Sequence, residues 1–343
     1  MSETVRTYDR RTFLTAALAG TGALALGPLV ASCSDADPAV PTPGNPSDHP
    51  APANEAPENP AAKGEFAAEP SWRQNFVEMA DGPVDTSVWH FEDNSEVPGY
   101  NEEAQGFSNS EEFVRVEDGN LVIQAKKKPF TYPDGTTYDY TSGRIDTQNS
   151  FSFTYGKIEA TMQLPEGAGT WPAFWLLSAN QPNTSKLHPT DEDWQTPGFY
   201  AKDGELDIME WYGHTPGMVE GTVHTYQTAK DEDNDGRRDA DARNIQNTGQ
   251  IAAPKDASTA FHTYGAEVTP GCITWTLDGK PYFTFKNSAG GTDAWPFTDE
   301  NKLYPILNLA MGGTGGGEID DSQADKWMLK VKDVAYYPYT GAR

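Results

Sequence analysis

The densest run of acid–base chemistry in the chain is Gly204-Glu205-Leu206-Asp207-Ile208-Met209-Glu210-Trp211, three acids interleaved with apolar side chains. On an extended strand alternate residues share a face, so Glu205 and Asp207 point the same way and strict alternation sends Glu210 to the other. One extra residue in a β-bulge at Ile208–Met209 restores the parity and brings all three acids onto one surface; bulges are over-represented beside active sites. The two glutamates then stand roughly 13 Å apart along the strand. Leaning side chains on a curved sheet can close that toward the ~5–5.5 Å that a double displacement at a sugar carbon needs between two carboxyls. Crowding of like charges raises at least one pKa, which keeps one carboxyl protonated as an acid while another stays ionised. The other reading is a solvated acidic strand in an already acidic protein. Leu206, Ile208 and Met209 count against it, because they suit a strand with one packed face, but spacing alone leaves both readings open.

Such a strand needs a sheet around it, and the chain supplies the pattern. Asn120-Leu121-Val122-Ile123-Gln124-Ala125, Gly156–Met162, Ile273–Leu277 and Tyr282–Phe285 follow a period of two. Asp278-Gly279 between the last two is a tight-hairpin signal. No stretch after the first thirty-three residues carries a helical face. Short strands punctuated by Gly, Pro and Asn predict an all-β sandwich. Among the aromatics, Trp171 and Trp175 share strand parity and are the best placed to stack on sugar rings. Trp211 follows Glu210 and is expected in the core.

The N-terminal part reads as an address and a tether. Asp9-Arg10-Arg11-Thr12-Phe13-Leu14 is a twin-arginine signature, and the weakly apolar run after it ends in Val30-Ala31-Ser32-Cys33, similar to a bacterial lipoprotein box. Residues 1–33 are therefore expected to be a signal peptide, with Cys33 carrying the lipid anchor. A twin-arginine route exports folded protein, which places the chain at the outer face of the cytoplasmic membrane, the cell surface or the periplasm. Residues 34–70 hold nine prolines among Ala, Asp, Asn and Glu and are expected to be an extended, disordered linker. Hydrophobic and aromatic residues then continue to the end, giving one domain over 71–343. The only cysteine besides Cys33 is Cys272, so an acylated Cys33 leaves no intrachain disulfide. A net charge of −26 argues against nucleic acid as a partner. The membrane contact expected is through the lipid alone, and the chain is expected to be a monomer.

Several segments together resemble glycoside hydrolase family 16, the laminarinase and lichenase group of jelly-roll enzymes. They are the Glu-x-Asp-x-x-Glu motif itself, Trp171-Pro172-Ala173-Phe174-Trp175-Leu176-Leu177, Gly221-Thr222-Val223-His224-Thr225, Phe261-His262-Thr263-Tyr264 with Trp275 and Asp278-Gly279, and Leu307–Gly313. The resemblance spans roughly residues 72 to 338. It implies a jelly-roll sandwich of two antiparallel sheets, concanavalin-like, with a concave substrate cleft. It implies Glu205 as nucleophile, Glu210 as general acid and then base, and Asp207 as the auxiliary acid between them. By the same resemblance His224 lies beside the acid/base, Asn101 lines the donor side, and Arg144 faces the cleft. Glu102 departs from the family's Asn-Asn-Glu segment, and the Gly312–Gly317 run lacks the Trp that often follows the paired glycines. The two residues between Asp207 and Glu210 resemble the bulged laminarinases, which implies endo-acting hydrolysis of β-1,3-glucan without a catalytic cofactor. The alternatives are hydrolysis of another β-linked polysaccharide (mixed-linkage glucan, agarose or carrageenan) and a non-catalytic glucan-binding protein at the cell surface.

One acidic segment stands apart. Asp231, Asp233, Asp235 and Asp239, with Gly236 between them, match positions 1, 3, 5 and 9 of a calcium loop with its turn glycine, while Ala242 occupies the position of the closing glutamate. The segment reads either as a structural calcium site or as a solvated acidic insertion.

Overall fold

The structure is a computed structural model that describes residues 65–91, 101–133, 135–180, 204–227, 243–287 and 295–342. The signal segment with Cys33, residues 34–64 of the expected linker, and the acids Asp231, Asp233, Asp235 and Asp239 lie outside the described residues. Residues 65–70, the end of that linker segment, run beside the C-terminal strand: Phe66 bridges Tyr339, and the Ala67 N–H donates to the Pro338 carbonyl.

Two antiparallel sheets make the sandwich. One runs Lys280–Lys286, Cys272–Leu277, His262–Thr269, Gly156–Gln163, Met328–Pro338, Asn120–Gln124, Val114–Glu117, with Trp72–Asn75 also paired to Met328–Pro338. The other has seven strands in the order Arg243–Ala252, Met218–Gln227, Glu205–Trp211, Thr170–Ser178, Leu303–Met311, Arg144–Asp146, His90–Phe91. The expected all-β jelly-roll sandwich is what the chain forms. A short parallel pair, Gln105–Phe107 with Tyr140–Ser142, sits outside both sheets.

Alternation builds the core between the sheets. Ile158, Ala160 and Met162 from one strand and Tyr264, Ala266 and Val268 from its neighbour meet Leu206, Met209, Val219, Val223 and Leu307 from the other sheet, all essentially without solvent exposure. Each fully buried side chain of this size contributes about 1.5–3 kcal/mol by leaving water, so the sandwich needs no disulfide, and Cys272 is free. Asp278 and Gly279 both have positive φ (50° and 71°) and join Leu277 to its partner Lys280, the backbone that a two-residue type I′ turn requires. Asp118-Gly119 makes the same turn between Glu117 and Asn120.

Candidate active site

Across the seven-stranded sheet the register lines up one face in rows. Glu220, Glu210, Ala173, Asn308 and Arg144 pair in succession, with Gln250 beyond Glu220. The next row is Thr248, Thr222, Asp207, Trp175 and Ile306, and the next Gln246, His224, Glu205 and Leu177. The catalytic-type motif therefore lies mid-sheet, on the face turned away from the core.

The bulge makes this geometry. Asp207 pairs with Thr222 and Glu210 with Glu220, so three steps on one strand match two on its neighbour. On the other side Asp207 faces Trp175 while Met209 faces Phe174. Ile208 and Met209 both turn into the core, at 1% and 0% exposure, and the three acids share the opposite face. A bulge disrupts the ladder locally, and buried backbone groups seek partners. The Trp275 indole N–H, reaching across from the other sheet, donates to the Asp207 carbonyl at 2.8 Å. Gly221 on the facing strand lets it approach, since a Cβ there would lie 2.4 Å from the Trp275 ring.

A cavity of about 610 Å³ lies over this face. Its walls include every catalytic and sugar-contact residue proposed from the sequence: Glu205, Asp207, Glu210, Asn101, Arg144, Trp171, Trp175 and His224. Glu205 and Asp207 are buried and Glu210 half-buried. The His224 Nε2 lies 3.2 Å from Asp207 Oδ2 and 3.7 Å from Glu205 Oε1. Trp171 Nε1 donates to Glu210 Oε1 at 2.9 Å, and Trp175 Nε1 donates to Asn308 Oδ1 at 2.7 Å. The Arg144 guanidinium stacks over the Trp175 ring at 4.7 Å. Trp175 is thus a buried wall, committed to Arg144 and Asn308. Trp211 is in the core, as alternation requires.

Burial, with the Glu220 carboxylate adding to it, pushes Asp207 up to about 8. Glu210 is also pushed up to about 8, by burial first and then by Asp207 and Glu220, against the Trp171 hydrogen bond and His224, which pull it down. Both carboxyls therefore hold a proton to a higher pH than an ordinary carboxyl does, the direction a proton donor needs. Glu205, Asp207 and His224 offer donor atoms within 4.8 Å of one another, the one grouping with metal-ligand spacing among the described residues.

Sequence reasoning missed four residues in and around the cleft. Glu103 is enclosed with Gln105, Asn101 and Arg144; burial raises its carboxyl and those three partners oppose the rise. Glu220 lies on the same sheet face, paired with Glu210 one strand over and outside the cavity lining, as alternation with Thr222 and His224 would have indicated. Tyr212 packs on Trp171 with ring centroids 6.0 Å apart. Asn308 anchors Trp175. The glycine run after Met311 forms a short helix, Gly313–Gly316, pressed against Trp171: a Cβ on Gly315 would stand 2.4 Å from its ring.

The model of the glycosyl hydrolases family 16 matches residues 101–325. A beta-glucanase of Rhodothermus marinus is 33% identical over 278 residues, covering 78% of this chain and 86% of that protein. A glucan endo-1,3-beta-glucosidase of Cryptopygus antarcticus is 31% identical over 276 residues, covering 78% and 91%. Among solved structures, SCLam, a non-specific endo-beta-1,3(4)-glucanase, superimposes with a TM-score of 0.66 at 28% identity, over 84% of this chain and 96% of that one.

Proposed function

Because this chain belongs to the glycosyl hydrolases family 16, we propose that it is a retaining endo-β-1,3-glucanase that cuts laminarin-type chains by double displacement. The observation that carries the reading is the bulge that sets Glu205, Asp207 and Glu210 on the floor of one cleft. Glu205 attacks the anomeric carbon while Glu210 gives its proton to the departing glycosidic oxygen. Glu210, now a carboxylate, takes a proton from water, which displaces Glu205 from the glycosyl-enzyme. Burial favours the protonated form of Asp207, which lessens the negative charge that Glu205 meets on the same strand face. His224 sits against both. Trp171 is the ring available to a sugar, since Trp175 is held by Arg144 and Asn308. No step calls for a cofactor.

The N-terminal signals support export by the twin-arginine route and a lipid on Cys33, which would hold the chain at the outer face of the cytoplasmic membrane, the cell surface or the periplasm. The acids Asp231, Asp233, Asp235 and Asp239 suit a structural calcium ion, which would show as a melting temperature that rises with added calcium.

The test is reducing-sugar release from laminarin, lichenan, agarose and κ-carrageenan by the full chain, beside Glu205→Gln. Laminarin cleavage is expected, falling by about 10³-fold or more in the variant. Preferred cleavage of another polysaccharide would replace the substrate. Laminarin binding with none of the four cut would make the chain a glucan-capture protein.

A further inference from the structure

Behind Glu210 lies a chain of contacts that the double displacement leaves unexplained. Glu220 is its register partner on Met218–Gln227. One Glu220 oxygen accepts from the Tyr212 hydroxyl at 3.2 Å, and the other accepts from Gln250 Nε2 at 2.7 Å. The Tyr212 ring packs on Trp171, whose indole N–H donates to Glu210. Both oxygens of Glu220 are thus fixed, and the far end of the chain of contacts is the carboxyl that must meet the leaving oxygen.

We propose that Glu220 is a positioning residue for Glu210: it holds the acid in place through Tyr212 and Trp171 and sets a fixed negative charge beside it. The proposal rests on the assignment of Glu210 as acid/base. A carboxylate anchored by two donors keeps its charge where a free side chain would swing to solvent, and a like charge nearby favours the protonated form of its neighbour. The other ionisable groups facing Glu210 are Asp207 and Glu205 on its own strand, His224 on the same strand as Glu220, and Tyr212 just beyond its strand. Thr170–Ser178 presents the uncharged Trp171 and Ala173. Asp207 acts in the same direction as Glu220 and His224 in the opposite one. Tyr212 is held neutral far above the working range, by burial and by the surrounding acids, so it contributes a hydroxyl and no charge.

Two variants separate charge from placement. Glu220→Gln keeps an acceptor for Tyr212 and removes the charge, whereas Tyr212→Phe keeps the charge and the ring against Trp171 and removes the hydroxyl that ties that ring to Glu220. Each is followed as kcat and KM on laminarin against pH. For Glu220→Gln the alkaline limb of kcat/KM should move down by about one pH unit, because the acid loses its proton sooner. For Tyr212→Phe the limb should stay and kcat fall about tenfold, as a loosened acid predicts. A Glu220→Gln variant that loses rate equally at all pH, with the limb fixed, overturns the proposal. A control separates this failure from that of its premise. Dinitrophenyl β-laminaribioside has a leaving group that departs unprotonated, so it should restore glycosyl-enzyme formation to Glu210→Gln. Without that rescue the acid/base assignment falls, and the role of Glu220 with it.

Discussion

Trp171→Phe isolates a single hydrogen bond at the acid. The indole of Trp171 lies on Gly315 and beside Tyr212, and its one polar atom donates to Glu210 Oε1 at 2.9 Å. Phenylalanine keeps an aromatic ring between those neighbours and removes the donor. A bond to a charged acceptor is worth about 1.5–3 kcal/mol and one to a neutral acceptor about 0.5–1.5. The carboxylate form of Glu210 therefore loses about 1 kcal/mol more than the protonated form. At about 1.4 kcal/mol for each pKa unit, the acid should hold its proton to a pH higher by about 0.7. The direction agrees with the pull of the same bond on Glu210 in the folded protein. The assay is the pH profile of kcat/KM for laminarin, whose alkaline limb reports the acid of the free enzyme. The limb should move up, opposite to the shift expected for Glu220→Gln. A limb that stays or moves down would show that the indole bond does not favour the ionised acid.

Three further outcomes follow from the same geometry. Gly315→Ala should cost about 10²-fold in kcat by pushing Trp171 off Glu210, whereas Gly279→Ala, with open space around it but φ of 71°, should lower stability by about 1 kcal/mol and leave laminarin turnover alone; kinetics and denaturant melts on both read the contrast. Asp207 and Glu210 titrate higher in the folded than in the unfolded chain, so the folded state binds more protons between about pH 4 and 8. Thermal stability should fall as pH rises through that window, and Asp207→Asn with Glu210→Gln should flatten the slope. Burial lowers the pKa of His262, but Asp278 and Asp256, bonded to its two ring nitrogens at 2.9 and 3.1 Å, raise it further than burial lowers it. Its contribution to stability is complete below about 6.5 and is lost as pH rises through the folded value. An NMR titration should place His262 above 6.5, and Asp256→Asn should bring it down.

Much of the sandwich could be read from the chain because its local signals agree with its tertiary contacts. The strand at 156–163 alternates as a half-buried strand must, while 121–123 and 273–277 are buried at successive positions, and Asp278-Gly279 has few backbone solutions besides the hairpin. Arg243–Ala252 was illegible for the opposite reason. It is an edge strand rich in Asn, Gln and Thr, and on its core side Gly249 admits Phe283 so closely that a Cβ would stand 2.1 Å from the ring. Nothing in that composition signals a strand, because what fixes it is pairing to Met218–Gln227.

The site divides along the same line. The bulge was legible because the motif contains its own contradiction: three acids and four apolar residues cannot each take one face by strict alternation, and one added residue resolves both sets at once. What stabilises the bulge lies elsewhere in the chain. Ile208 and Met209 are held by core packing, and the Asp207 carbonyl is met by Trp275 across the sandwich, through space that only a glycine at 221 leaves open. Glu220 carries no motif and was one acid among fifty-one until register set it beside Glu210, whereas Glu103 closes the Asn101-Glu102-Glu103 segment and only the fold brings it under the influence of Arg144. A strand can announce which of its residues share a face. Which charge stands next to which is decided by the neighbouring strand. Here that neighbour adds a fourth acid to a row of three, and this raises the cost of ionising Glu210 and favours the proton it has to deliver.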